Sequence, residues 1–122
     1  MLFRRILLDL LQSTRGSLGA IFLDSEGESV EVITERPLDA DDHDLRVIGA
    51  YQGIHLSHLK RLCDALRAGS PHRFKVEFEK MNVLSCDLKD GYYLVLVVDE
   101  TANEGIAWRN LDYCRERIVV EL

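Results

Sequence analysis

Between Leu2 and Thr14 the apolar residues Phe3, Ile6, Leu7, Leu10 and Leu11 recur at intervals of three and four, with Arg4, Arg5 and Asp9 opposite them. That spacing predicts an amphipathic helix over residues 2–14, ended by Gly16. The period then drops to two. Residues 18–24 predict a strand with Leu18, Ala20 and Phe22 on one face and Gly19, Ile21 and Leu23 on the other. Both faces are apolar, so both need a cover. Ser25-Glu26-Gly27 supplies turn chemistry, and residues 28–34 return as a second strand.

A loop over 36–40 containing Pro37 follows, then an acid cluster, Asp39, Asp41, Asp42 and Asp44. Acids at this point suit the start of a helix. The apolar pattern predicts one from Asp42 to Arg67, roughly 39 Å at 1.5 Å per residue, stopped by Gly69-Ser70-Pro71. Residues 73–80 alternate strictly, with Phe74, Val76 and Phe78 against Lys75, Glu77 and Glu79, the pattern of a half-buried third strand. Met81-Asn82 is a turn, residues 83–88 a fourth strand, and Asp90-Gly91 a hairpin signal. Residues 92–98 form a fifth strand, apolar on both faces. Thr101 and Glu104 read as a capping box opening a last helix to about Glu121, with Ala107, Leu111, Cys114 and Ile118 on one stripe.

The order is helix, two strands, helix, three strands, helix. Strands joined by tight turns are antiparallel neighbours. The first and fifth are the most apolar and belong in the centre; the amphipathic second and third belong at the edges. The sheet order is then 2-1-5-4-3, inside an α/β fold: an α/β/α sandwich around a five-stranded antiparallel sheet. The 122 residues fit a single domain spanning 1–122.

Composition narrows the function. The formal net charge of −6 opposes nonspecific binding to nucleic acid or anionic lipid, and no Lys/Arg cluster with interleaved aromatics is present. No stretch approaches the ~20 apolar residues of a membrane span. The opening MLFRRILLDLL is interrupted by Asp9 and lacks a small-residue cleavage site, which argues against a signal peptide. Cys63, Cys86 and Cys114 are odd in number and show no zinc spacing, so buried thiols in a reducing compartment, and a cytoplasmic location, are expected.

Candidate chemistry is sparse. The acids of DSEGE (Asp24 to Glu28) sit at a turn tip, where neither burial nor a like-charged partner would tune them for acid–base work. They read as a hairpin corner. His55 and His58 share a helix face, but no carboxylate completes a metal motif, so no metal and no cofactor are expected. No GxSxG, GxGxxG or Walker pattern occurs, and the chain reads as a non-enzyme.

The long helix is the informative element. One stripe holds Leu45, Ile48, Leu56, Leu59, Cys63 and Leu66. A second holds Val47, Tyr51 and Ile54, flanked by Ala50 and His58. A helix that only covers a sheet needs one apolar face, so the second stripe suggests a partner. Gly49 and Gly53 each weaken the helix by about 1 kcal/mol, which suggests that another backbone comes close there. The third strand, as an edge, has backbone groups open to another strand, with Lys75, Glu77 and Glu79 either guarding that edge or lying beside a second copy of it.

The segment GSLGAIFLDSEGE (Gly16 to Glu28), the closing YYLVLVVDE (Tyr92 to Glu100) before the last helix, and the element order together resemble the roadblock/dynein light chain family, in its bacterial MglB-type form. The resemblance covers nearly the whole chain. It implies the long helix on one sheet face and the terminal helices on the other. It implies a homodimer joined through long helix and third strand, and a scaffold or regulator that binds a Ras-like small GTPase through protein–protein interaction, with no nucleotide site of its own. The interface residues it implies are Val47, Gly49, Ala50, Tyr51, Gly53, Ile54 and His58 on the helix, with Lys75, Glu77 and Glu79 on the pairing edge. Arg46 and Arg61 stand on the helix without the pattern of a catalytic arginine finger. A profilin-like or PAS-like sensor with a small molecule between sheet and helix is the alternative.

Overall fold

The change of period along the chain becomes a change of element in the computed structural model, which describes residues 2–34 and 42–122. The predicted loop 36–40 with Pro37, the acids Asp39 and Asp41 and the side chain of Asp42 lie outside the described residues. The elements are α1 (Leu2–Ser13), β1 (Ser17–Leu23), β2 (Ser29–Thr34), α2 (Asp42–Leu66), β3 (Arg73–Glu77), β4 (Met81–Asp87), β5 (Tyr93–Asp99) and α3 (Glu104–Glu121). The strands form one antiparallel sheet in the order β2-β1-β5-β4-β3, as the placement of the two most apolar strands predicts.

Alternation explains the layers. On one face Ala20 and Phe22 of β1 and Leu94 and Leu96 of β5 pack with α1 and α3, through Ile6, Leu7, Leu10, Leu11, Ala107, Leu111 and Ile118. On the other, Ile21 and Leu23 of β1 and Val95 and Val97 of β5 pack under Leu45 and Leu56 of α2. The central strands therefore lie between two covers, and every residue from Tyr93 to Val98 is buried. Each fully buried Leu, Ile or Phe contributes about 1.5–3 kcal/mol. The α/β/α sandwich rests on these two cores rather than on any single contact.

Local chemistry corrects several boundaries. β3 is five residues long, because Phe78 N–H donates to the Met81 carbonyl at 2.8 Å and closes a turn. Phe78 is half exposed, and Glu79 belongs to the turn rather than to the strand. Met81 and Asn82 start β4 rather than turning the chain. The Asp90-Gly91 signal is a true turn, both residues having positive φ, 59° and 81°. The cap of α3 is Asn103, not Thr101: the Asn103 side-chain Oδ1 accepts from Ile106 N–H at 3.0 Å. Thr101 instead donates its hydroxyl to Asp99. α2 stops at Leu66, before Gly69. Arg67 takes a left-handed conformation (φ 54°), Ala68 N–H reaches the Cys63 carbonyl at 2.9 Å and Arg67 N–H the Asp64 carbonyl at 3.3 Å. That is a Schellman stop with an arginine where glycine is usual.

Candidate functional site

The sheet-facing side of α2 is less greasy than its outer side. Leu45 and Leu56 are buried there, but between them lie Gly49 and Gln52. The Gln52 amide donates to Ser85 Oγ at 2.9 Å, a buried pair that satisfies a polar residue inside an apolar layer. Gly49 and Gly53 are close-approach glycines, but the approach is to this domain. A Cβ at Gly49 would stand 2.9 Å from Leu23 Cδ2 of β1, and one at Gly53 would stand 2.3 Å from the Tyr93 hydroxyl of β5. The Tyr93 hydroxyl in turn donates to the Gly49 carbonyl at 3.0 Å. Burial pushes that phenol up to about 12, with the Asp24 charge adding to the shift. The two glycines let the helix settle onto its own sheet.

The second stripe stands where the sequence puts it. Val47, Tyr51 and Ile54 are 40, 60 and 50% exposed, with Ala50 and His58 exposed beside them. Leu62 extends the stripe, 52% exposed. Leu66, assigned above to the core stripe, is 67% exposed, and Leu59 and Cys63 are only half-buried. The reason is geometric: burial fades toward the end of α2, opposite the short edge strand β3. Between them a mostly apolar cleft of about 480 Å³ is lined by His55, His58, Leu59, Leu62, Phe74, Lys75 and Val76. The His55 ring meets the Phe74 ring edge-on at 6.5 Å. The sequence reading missed Leu62 and Phe74 as members of this surface. Leu62 falls one turn beyond His58 on the same stripe, and that spacing was available.

β3 hydrogen-bonds to β4 on one side only; among the described strands none pairs with its other edge. Lys75 and Glu77 are both exposed on it. Lys75 bonds Glu104 of α3, Nζ to Oε1 at 2.9 Å. That hydrogen bond raises the ammonium's pKa and lowers the carboxyl's. Arg46 is engaged as well, through Ser29 Oγ; both it and Arg61 are exposed.

The other candidates are structural. Asp24 Oδ1 accepts from Glu26 N–H at 2.9 Å and from Glu28 N–H at 3.0 Å, so the acidic corner folds onto itself as a hairpin turn. Among the described residues no group of three His, Cys, Asp or Glu could hold a metal ion. Cys86 and Cys114 are buried, and desolvation holds both thiols far above the ordinary range, Cys114 at about 12. No described helix is long and apolar enough to cross a membrane. The space between α2 and the sheet is filled by Ile21, Leu23, Leu45, Leu56, Val95 and Val97, none more than 4% exposed. At its end a cavity of about 290 Å³ opens between Ser25, Gly53, Ser57, Lys60 and Tyr93.

No family model matches the sequence, and no curated protein matches it. Solved structures do. A Roadblock/LC7 domain from Streptomyces avermitilis has a TM-score of 0.83 at 13% identity, over 94% of this chain and 92% of its own. An MglB with a tetrameric arrangement has a TM-score of 0.82 at 19% identity, over 96% and 85%. MglC from Myxococcus xanthus has a TM-score of 0.71 at 22% identity, over the whole of both chains. The chain has the roadblock fold, in a form similar to the MglB and MglC proteins.

Proposed function

We propose that this single domain works as a non-enzymatic dimeric module, in the cytoplasm, which binds a Ras-like small GTPase and modulates its cycle or location. The observation that carries the reading is the exposed stripe Val47, Ala50, Tyr51, Ile54 and His58 on α2, beside an edge strand whose outer flank pairs with no described strand. Two copies related by a twofold axis could place these helices together and join β3 to β3, with Lys75 and Glu77 beside the seam. Gly49 and Gly53 drop out of the interface, because they face the domain's own sheet, and so does Glu79, which lies past the end of β3. A stable dimer buries about 1,200–2,000 Å². The tetrameric arrangement of one MglB supports self-association as a habit of this fold.

The paired helices would then form the platform on which the GTPase sits. Stimulation of hydrolysis, if present, would come from repositioning the GTPase's own residues, since neither Arg46 nor Arg61 has the pattern of a catalytic arginine finger. The test has two steps. Light scattering of the purified chain should give twice the monomer mass, and Tyr51→Glu should halve it. A pull-down from the native host with the wild-type chain should then enrich a small GTPase that the Tyr51→Glu chain fails to retain. A monomeric wild-type chain would refute the dimer, and retention of no GTPase by a proven dimer would refute the partner.

A further inference from the structure

We propose that the cleft between the start of β3, the end of β4 and α3 is a binding site for an oxyanion of the phosphate class. The cleft is about 390 Å³ and is lined by His72, Arg73, Cys86, Asp112 and Arg115. It lies on the α3 side of the sheet, away from the stripe on α2, with Arg73 at the start of the edge strand β3.

Two guanidinium groups line it from different elements, Arg73 from β3 and Arg115 from α3. Arg73 lies over the Trp108 ring, its Cζ 4.6 Å from the ring centre. Arg115 donates Nε–H to the Asp87 carbonyl at 2.8 Å, which orients the rest of its fork. The one carboxylate in the lining, Asp112, makes an ion pair with Arg73, Oδ2 to Nη1 at 3.6 Å, longer than a hydrogen bond, and competes with an anion for that guanidinium. The lining charge is therefore +1 from two arginines and one aspartate, with the His72 ring as a further hydrogen-bonding group, on a chain whose net charge is −6. A convergence of cations on an acidic protein is local, not a by-product of a basic surface. The inner wall is Cys86, 3% exposed, so an ion seated there would be partly withdrawn from water, where charge-assisted hydrogen bonds are stronger.

The geometry also selects the ligand. One arginine fork satisfies one planar carboxylate. Two forks arriving from β3 and from α3 suit a tetrahedral oxyanion, which offers separate oxygens to each. The cleft has room for more than the bare ion, so the oxyanion could be inorganic phosphate or the phosphate ester of a small molecule.

The experiment titrates inorganic phosphate into ¹⁵N-labelled protein at constant ionic strength made up with chloride. Saturable amide shifts should cluster at residues 72–73, 86–87 and 112–115. Arg73→Gln, at a half-exposed position, should weaken binding about tenfold, the worth of one charge-assisted hydrogen bond. Asp112→Asn removes the competing carboxylate and should tighten binding several-fold, a gain that misfolding cannot mimic. Repeating the titration with glycerol 3-phosphate distinguishes the sources: equal affinity assigns the free oxyanion, and tighter binding assigns a phosphorylated small molecule. Absence of a saturable shift, shifts spread over basic residues elsewhere, or an unchanged affinity in Asp112→Asn would overturn the site.

Discussion

Tyr93 shows how much one side chain fixes. Its ring fills the end of the helix–sheet layer, its hydroxyl reaches a carbonyl of α2 one turn before Gly53, and Gly53 has no Cβ because the hydroxyl occupies that space. Gly53→Ala should therefore destabilise the fold despite the better helix propensity of alanine, by about 1–3 kcal/mol of overpacking. Tyr93→Phe alone should cost about 1 kcal/mol, the worth of one buried hydrogen bond. The double variant should be less destabilised than the sum, since removing the hydroxyl removes the clashing atom; urea unfolding of the four proteins measures the coupling. The pH dependence has a definite sign. The folded-state pKa is raised from 10 to about 12, so the neutral phenol is favoured in the native state. Its contribution is complete below pH 10 and is lost as pH rises toward 12. Wild-type stability should fall faster than that of Tyr93→Phe across that interval, as followed by denaturant midpoints at each pH.

At the scale of elements the ends are governed by a few hydrogen bonds, and these were the least legible part of the sequence. Arg67 holds a left-handed conformation that costs an L-residue about 1–2 kcal/mol relative to glycine. Arg67→Gly should raise stability by about 0.5–1 kcal/mol after the added freedom of the unfolded chain is offset. Asn103→Ala should lower it by about 0.5–2 kcal/mol through loss of the α3 cap; thermal unfolding of both variants checks the opposite signs. The order of elements, the sheet order and the buried centre were readable because β1 and β5 are apolar on both faces, which leaves them no place but the middle. The inner face of α2 was not readable in the same way. Its sheet-facing positions include two glycines and a glutamine, so the pattern of apolar residues points outward, to Val47, Tyr51 and Ile54. Glycine spacing announces a close approach without giving its direction, and only Leu23 and Tyr93 on the strands supply that. A polar core pair such as Gln52 with Ser85 leaves no trace in periodicity, because each residue alone reads as surface.

For the whole molecule, the unequal covering of its two faces couples stability to association. Among the described elements, α1 and α3 together close one face of the sheet, whereas α2 alone covers the other, its outer stripe and the cleft above β3 left open by them. If two copies share that stripe, unfolding consumes the dimer, and apparent stability depends on protein concentration. A hundredfold increase in concentration should stabilise the dimer by about 2.7 kcal/mol, raising the unfolding temperature by several degrees. The choice of variant decides whether this can be read. A bulky residue at Gly53 would collide with Tyr93 and confound lost association with lost folding. Tyr51 is 60% exposed and belongs to neither core cluster, so Tyr51→Glu should leave the monomer folded while placing like charges at the seam. The expected result is a native circular dichroism spectrum, half the mass, and an unfolding temperature that no longer moves with concentration. A wild-type unfolding temperature equally indifferent to concentration would mean that the stripe on α2 is not where two copies meet.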